Sequence, residues 1–285
     1  MGAWSHLILA AAFGPYTVSE LACAKSLLAQ VESSSLVLMD RLYYSFAWLA
    51  AFDAPNTGRH FLARAKTGAR DLKPKRKKKL GENDWLGILP KPRSLRGPKA
   101  EGLPDEIEVR ILRYQFKGFR PVTLVTSLLD QTTYPYEELV ALYHGRWEIE
   151  LGYDEVKTHF ARETVVFRSQ GPDKVLQEAY GLLIAYNCVR ALMAQAASKA
   201  GVEPRSLSFV DCLVRIRFAL TKMALAPTRQ LPRLHDELVS ELATCVLPPR
   251  RPERVYPRAV KIKMSSFPLK RNQTGRGRQP RKKGA

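Results

Sequence analysis

The chain has 285 residues, with 46 Lys+Arg against 27 Asp+Glu for a formal charge of +19, and 45% of its residues are hydrophobic. At this length such an apolar fraction can bury a proper core in one large domain or two smaller ones, which excludes a globally disordered chain and a disulfide-stapled miniprotein. The excess of positive charge points to a polyanionic partner, with nucleic acid the leading candidate.

The first thirteen residues, MGAWSHLILAAAF, have an apolar middle but no basic start and no clean small-residue cleavage site, so they do not read as a secretory leader. Residues 17–31 carry helical spacing through Val18, Leu21, Ala22, Leu27, Leu28 and Val31, with Ser19-Glu20 at the start. The apolar run 35–39 ends at Asp40 and predicts a short buried strand, after which residues 43–52 return to a helical pattern. Strands are predicted over 59–66, 105–115 and 120–129. The clearest lies at 106–112, where apolar and polar residues alternate. Between them, the run from Lys73 to Lys79 and the Pro/Gly-rich patch through Pro98 read as an exposed loop that either contacts DNA or is simply solvated.

From Tyr136 the helical pattern persists to about Phe160, and further helices are predicted over about 172–199, 206–224 and 234–246. From Arg250 to Ala285, 13 Lys+Arg face the single acid Glu253, which places +12 of the total charge in a stretch rich in Pro and Gly. Such a segment cannot offset its own ordering entropy, so it reads as a mostly disordered basic tail that adds affinity without specificity. The order predicts a partial α/β core at 1–53 and a β-rich insertion with return strands at 54–135. Core helices at 136–200, a C-terminal helical region at 201–249 and the tail at 250–285 complete it.

Cys23, Cys188, Cys212 and Cys245 form no CxxC pair, and the five histidines add no zinc spacing. They read as core thiols of a protein in a reducing cytoplasm. The most apolar stretch, 179–198, is broken by Asn187 and Arg190 and falls short of the roughly 18 uninterrupted apolar residues of a membrane span, so no membrane partner is expected.

The segment from Tyr143 to Lys157 concentrates the chemistry. On a continuous helix Tyr143, Arg146, Glu150 and Lys157 fall within an arc of about 60°, spread along roughly 21 Å of axis. Such a face suits a DNA backbone: the cations hold phosphates, and the carboxylate can take a divalent metal. A salt-bridged amphipathic helix produces the same Arg-x-x-x-Glu spacing more often, and Asp154 also falls on this arc. Asp40, directly after LVLM, stands at the carboxyl end of a buried strand, where α/β enzymes place ligands and metals. It would equally serve as the N-cap of the helix that follows.

The spacing Tyr143-x2-Arg146-x3-Glu150-x6-Lys157 resembles the Y-R-E-K signature of bacterial insertion-sequence transposases of family four. The run LVLMDRLYYSF is similar to the segment around that family's second catalytic aspartate, typically DRGFYS. The flanks FGPYTVSE and FRSQGPDKVLQEAYGLLIAYNCVR agree as well, so the similarity runs from about Phe13 to Met193. The resemblance implies an RNase H-like DDE core, incomplete at its N-terminus, with a β-rich insertion and C-terminal helices. It also implies two-metal chemistry, in which two aspartates and a glutamate hold a pair of Mg²⁺ ions that activate water and then a 3′-hydroxyl for in-line attack on a phosphodiester. Asp40 carries over as the second aspartate and Glu150 as the glutamate, both as catalytic residues and as metal ligands. Tyr143, Arg146 and Lys157 carry over as contacts to the DNA of transposon ends.

The chain departs from the family upstream of Asp40: no Asp precedes it, and the end-recognition domain and first strands that the resemblance implies have no counterpart in the sequence. Two carboxylates do not hold a matched pair of ions about 3.5–4 Å apart. The expectation is therefore an N-terminally truncated copy with little strand-transfer activity alone, partnered by DNA at transposon ends and target. A second copy or an intact transposase would be its protein partner. Glu20 lies on a helical pattern, and nothing in the sequence places it beside Asp40. The alternative reading is a non-catalytic DNA-binding remnant that competes for, or assembles with, an intact enzyme. Trp85 and Trp147 could stack on an unpaired base, but a core role is the commoner use of tryptophan.

Overall fold

The computed structural model describes residues 1–15, 17–52, 58–66, 72–116, 119–161 and 167–248. Contacts divide the chain into two units, Met1–Pro249 and Arg250–Ala285. The basic tail expected over 250–285 lies outside the described residues.

Six strands build one sheet: β1 (Leu36–Met39), β2 (His60–Arg64), β3 (Lys75–Gly81), β4 (Asp84–Pro90), β5 (Glu106–Tyr114) and β6 (Val122–Thr126), in the order β1-β2-β6-β5-β4-β3. β1 and β2 are parallel, in register from Leu36↔His60 to Met39↔Ala63, and every other neighbouring pair is antiparallel. The strands of the β-rich region thus continue the sheet that β1 begins. Their alternation decides its two faces. Phe61, Ala63, Leu89, Ile107, Val109, Ile111 and Val125 pack with Trp48 and Leu49 of α2 (Phe46–Ala50). Leu62, Leu112 and Leu124 point the other way, onto Leu139 and Tyr143 of α3 (Tyr136–His144).

Two expectations are corrected. Residues 73–98 do not form a loop throughout, because β3 and β4 make a hairpin turning at Glu82-Asn83. A lysine run has no apolar alternation to mark it as a strand, but as an edge strand β3 can leave Lys75 to Lys79 in water while β4 supplies the apolar residues. Gly87 permits the pairing: a Cβ there would overlap the Lys75 carbonyl oxygen and come within 2.7 Å of Ile111 Cδ1. The second correction concerns 136–160, which is not one continuous helix. α3 gives way to a 3₁₀ turn at Gly145–Trp147, then α4 (Glu148–Asp154), then a π-helical turn at Glu155–Phe160. The wider turn is closed by the Ala161 N–H donating five residues back to the Val156 carbonyl.

The remaining helices form a second cluster. α5 (Pro172–Ala200), α6 (Phe209–Ala224) and α7 (Leu231–Leu242) enclose Tyr186, Met193, Ala196, Leu213, Ile216 and Leu242. α5 stops at Gly201, whose φ of 66° few other residues adopt cheaply, and α6 starts where the Ser208 hydroxyl accepts the Asp211 N–H. Cys212 and Cys245 are buried here, whereas Cys188 is exposed and Cys23 half-buried, so only the first two are core thiols. α1 (Glu20–Leu27) is capped by Ser19, which accepts the Ala22 N–H. Among the described residues no helix is long and apolar enough to cross a membrane.

One buried ion pair pins the sheet. Arg110 on β5 has no exposed surface. It donates from Nε to Asp84 Oδ1 at 2.9 Å, from Nη2 to Asp84 Oδ2 at 2.5 Å, and from Nη1 to the Tyr134 carbonyl at 2.6 Å. The guanidinium thereby ties β4 to the segment that leads into α3. Removing one partner strands the other in an apolar sheet. Arg110→Met should therefore cost about 3–5 kcal/mol in denaturant unfolding of the full chain, and adding Asp84→Leu should recover much of that loss.

Candidate active site

Asp40 is the first residue beyond β1, and its side chain is half-buried. Its Oδ1 accepts the Leu42 N–H at 2.6 Å, which closes the turn after the strand. α2 begins only after Ser45, so Asp40 does not cap that helix. The parallel register places Arg64 one residue beyond Ala63, at the same end of the sheet as Asp40. β5 runs in the same direction as β2, since each is antiparallel to the intervening β6, so Tyr114 ends there too.

Tyr143 is the joint between this end of the sheet and the helices. Only 5% of it is exposed, and its hydroxyl donates to the Met39 carbonyl at 3.0 Å, one residue before Asp40. Burial, above all, pushes its phenol up to about 12. Arg146 and Arg64 pull against the rise, while Tyr114 and Asp40 add to it. Tyr143, Arg146, Arg64, Tyr114 and Asp40 therefore share one neighbourhood. Burial also raises the Tyr43 phenol, followed by the charges of Glu20, Tyr153 and Asp40. Glu20, which the sequence gave no reason to bring close, thus acts on the tyrosine that Asp40 also reaches.

The expectation that Tyr143, Arg146, Glu150 and Lys157 share a face is corrected at Tyr143. α3 lays Leu139 and Tyr143 onto the sheet, and the 3₁₀ turn at Gly145–Trp147, which advances each residue by about 120° rather than 100°, changes the phase of the residues that follow. Arg146 and Glu150 stay side by side. Arg146 Nη2 donates to Glu150 Oε1 at 3.2 Å, with the carboxylate side chain 46% exposed. Lys157 lies exposed on the π-helical turn. Asp154 turns instead to Thr158, whose hydroxyl it accepts at 2.7 Å, and to His159. Trp147 is 40% exposed and Trp85 lies beneath the Arg76 guanidinium, so neither sits fully in the core.

A buried polar cluster steadies the helix that bears Glu150. His6, in a left-handed conformation with φ of 57°, sits between Glu148 at 3.3 Å and Glu155 at 3.2 Å. Burial would raise the Glu155 carboxyl, but His6, Arg190 and the Tyr186 hydroxyl together hold it below its usual range. Ile8 and Asn187 exchange two hydrogen bonds of 2.9 Å, fastening the same N-terminal segment to α5. No spacing in the sequence links His6 to residues some 140 positions away; a buried histidine near acids shows only in the fold.

Among the described residues, no three His, Cys, Asp or Glu side chains converge as a metal cage. Asp40 and Glu150 do not by themselves fit a two-metal pair, and Glu150 is engaged by Arg146.

A family model described as "Transposase DDE domain" matches residues 3–188, a span that includes both Asp40 and Glu150. Transposase InsG for insertion sequence element IS4, from Escherichia coli (strain K12), is 38% identical over 266 residues. That alignment covers 93% of this chain and 59% of the relative, so the chain spans about three-fifths of that protein's length. A solved structure titled as the piggyBac transposase synaptic complex with hairpin DNA is 15% identical. It superposes with a TM-score of 0.40, over 84% of this chain and 48% of that one.

The Tyr143 bond makes a pH-dependent prediction. A phenol whose folded pKa lies above its ordinary 10 stabilises the fold fully below pH 10, and that contribution is lost as pH rises through about 12. Tyr143→Phe should cost about 1 kcal/mol near neutral pH, because the buried Met39 carbonyl loses a donor. It should also flatten the alkaline loss of stability, read by denaturant unfolding at a series of pH values.

Proposed function

Because the chain belongs to the family of transposase DDE domains, we propose that it acts on DNA at transposon ends, with Asp40 and Glu150 as its catalytic carboxylates. The observation that supports this reading most is the Tyr143 hydroxyl bond to Met39. It joins the strand end that bears Asp40 to the helical segment that bears Arg146 and Glu150, all within the matched span. The parallel β1–β2 pair with helices packed beside it agrees with an RNase H-like core, in which β2 to β6 extend the sheet.

Arg146 and Lys157 hold the phosphodiester backbone by charge, and Arg64 adds a third cation at the end of β2. Arg146 has a choice of anions. A half-exposed Arg–Glu pair contributes only about 0–1 kcal/mol, so an arriving phosphate can draw the guanidinium away and leave the Glu150 carboxylate facing the DNA. Tyr143 is the positioning residue of this scheme and touches no DNA; its phenol holds the strand end in place. The family is divalent-metal dependent. The described residues do not complete a site for two ions, so cleavage here requires a carboxylate beyond Asp40 and Glu150. An intact transposase is the partner that would bring one.

The test is cleavage of labelled transposon-end duplex by the full chain, alone and with an intact relative, with Mg²⁺ or Mn²⁺ and with chelator. Metal-dependent nicking that falls about 10²-fold or more in Glu150→Gln, with duplex affinity retained, is the expected result. Chelator-insensitive binding with no nicking in either mixture would overturn the catalytic reading and leave a DNA-binding protein.

A further inference from the structure

The cationic hairpin strand β3 has no part in the chemistry above. Lys75 to Lys79 are all exposed, and β3 forms one edge of the sheet while β1 forms the other. Register divides its cations between the faces: Arg76 and Lys79 lie opposite Gly87 and Trp85, and Lys75 and Lys78 opposite Ile88 and Leu86. Positive charge therefore flanks the open edge on both sides. Arg76 lies 3.6 Å over the Trp85 ring, which fixes its guanidinium in place. Among the described residues the one carboxylate in ion-pair range of the strand is Glu106, 3.5 Å from Lys77 and half-exposed.

An edge strand needs some charge to block pairing with other chains, but a single lysine or proline commonly suffices. Five successive cations go well beyond that need. A row of like charge with outward backbone N–H groups matches a sugar-phosphate backbone, which takes cationic side chains and backbone N–H donors alike. We propose that β3 is a second DNA-binding surface, a phosphate track remote from Asp40. Five inter-strand steps of about 4.8 Å put β3 roughly 24 Å from β1, or about seven base pairs of duplex. Alternating antiparallel pairings give β3 the same direction as β1, so Lys78 and Lys79 lie toward the end of the sheet where Asp40 stands. A duplex engaged at Asp40 and laid along that end would reach them. The inference rests on the proposed function only in taking duplex DNA as the ligand.

The test uses the full chain and a duplex of roughly three helical turns, with affinity measured across a salt series. Replacing Lys75, Lys77, Lys78 and Lys79 together by Gln should lower the slope of log affinity against log salt by about 2.7 if three phosphates are released. The loss of affinity between about 50 and 200 mM salt would then be roughly 40-fold smaller. Changing the same four residues to Glu keeps the edge charged but reverses its sign. Binding equal to that of the parent in this variant would show that the lysines only guard the edge, and would overturn the proposal. An unchanged slope in the Gln variant would do the same. The unmodified chain gives a reading that does not depend on how the variants fold: duplex should shield Lys75, Lys77, Lys78 and Lys79 from an amine-acylating reagent while leaving Lys222 reactive, and equal labelling of both refutes the track. Shielding at β3 without any nicking would therefore sink the catalytic reading and preserve this one.

Discussion

The hydrogen bond from Tyr143 to the Met39 carbonyl is the constraint on which the arrangement of the site depends. β1 is short and lies at the edge of its sheet, with one parallel neighbour to hold it. A four-residue edge strand cannot by itself fix the direction of the residue that follows it. The phenol supplies that constraint from the opposite layer, because α3 packs Leu139 and Tyr143 against Leu62, Leu112 and Leu124. Asp40 is therefore positioned by the core of the sheet's second face rather than by its own turn, whose bond to Leu42 engages Oδ1 alone. The helix beyond is held just as indirectly, by His6 between the carboxylates of Glu148 and Glu155.

Charge is distributed to match. The acid of interest stands beyond one edge of the sheet with Arg64 and Arg146 nearby, and the densest run of described cations occupies the other edge. Inside, the large charges cancel within the protein: Arg110 is taken up by Asp84, and Arg190 lies 3.7 Å from Glu155. Buried ions are paired because an unpaired one would cost several kcal/mol, while the solvated lysines of β3 bear no such cost. The chain can thus keep a formal +19 without straining its core.

Much of this was legible in the sequence, and the failures have physical causes. Alternation over 106–112 and the apolar run before Asp40 predicted β5 and β1 because burial on one face or both leaves that period in the residues. The long helix at 172–199 was equally plain. β3 was missed because a solvated edge strand has no core to imprint a pattern on it; only Gly87 and the apolar β4 beside it hinted at pairing. The inward turn of Tyr143 was missed because a helical wheel assumes one pitch throughout, whereas the 3₁₀ and π turns change the phase twice within sixteen residues of the motif. Arg146, Glu150 and Lys157 were singled out by a spacing and Asp40 by the apolar run before it and its DR segment; Arg64, Tyr43 and His6 have no such signal, since pairing register and long-range burial bring them in.

The same change of pitch gives the site its asymmetry. Had the helix continued unbroken from α3, which buries Leu139 and Tyr143 against the sheet, Arg146 and Glu150 would have fallen on that same buried face. Breaking the pitch at Gly145 lets one short segment face two ways. Tyr143 turns into the sheet, where loss of its hydroxyl bond would be felt as stability. Arg146 and Glu150 turn outward, where their mutual bond is weak enough to be exchanged. The order along the chain then follows from dielectric alone. The contact that must persist is buried, where a hydrogen bond lacks competing water, and the contact that must open on meeting a phosphate is left in solvent, where opening costs little.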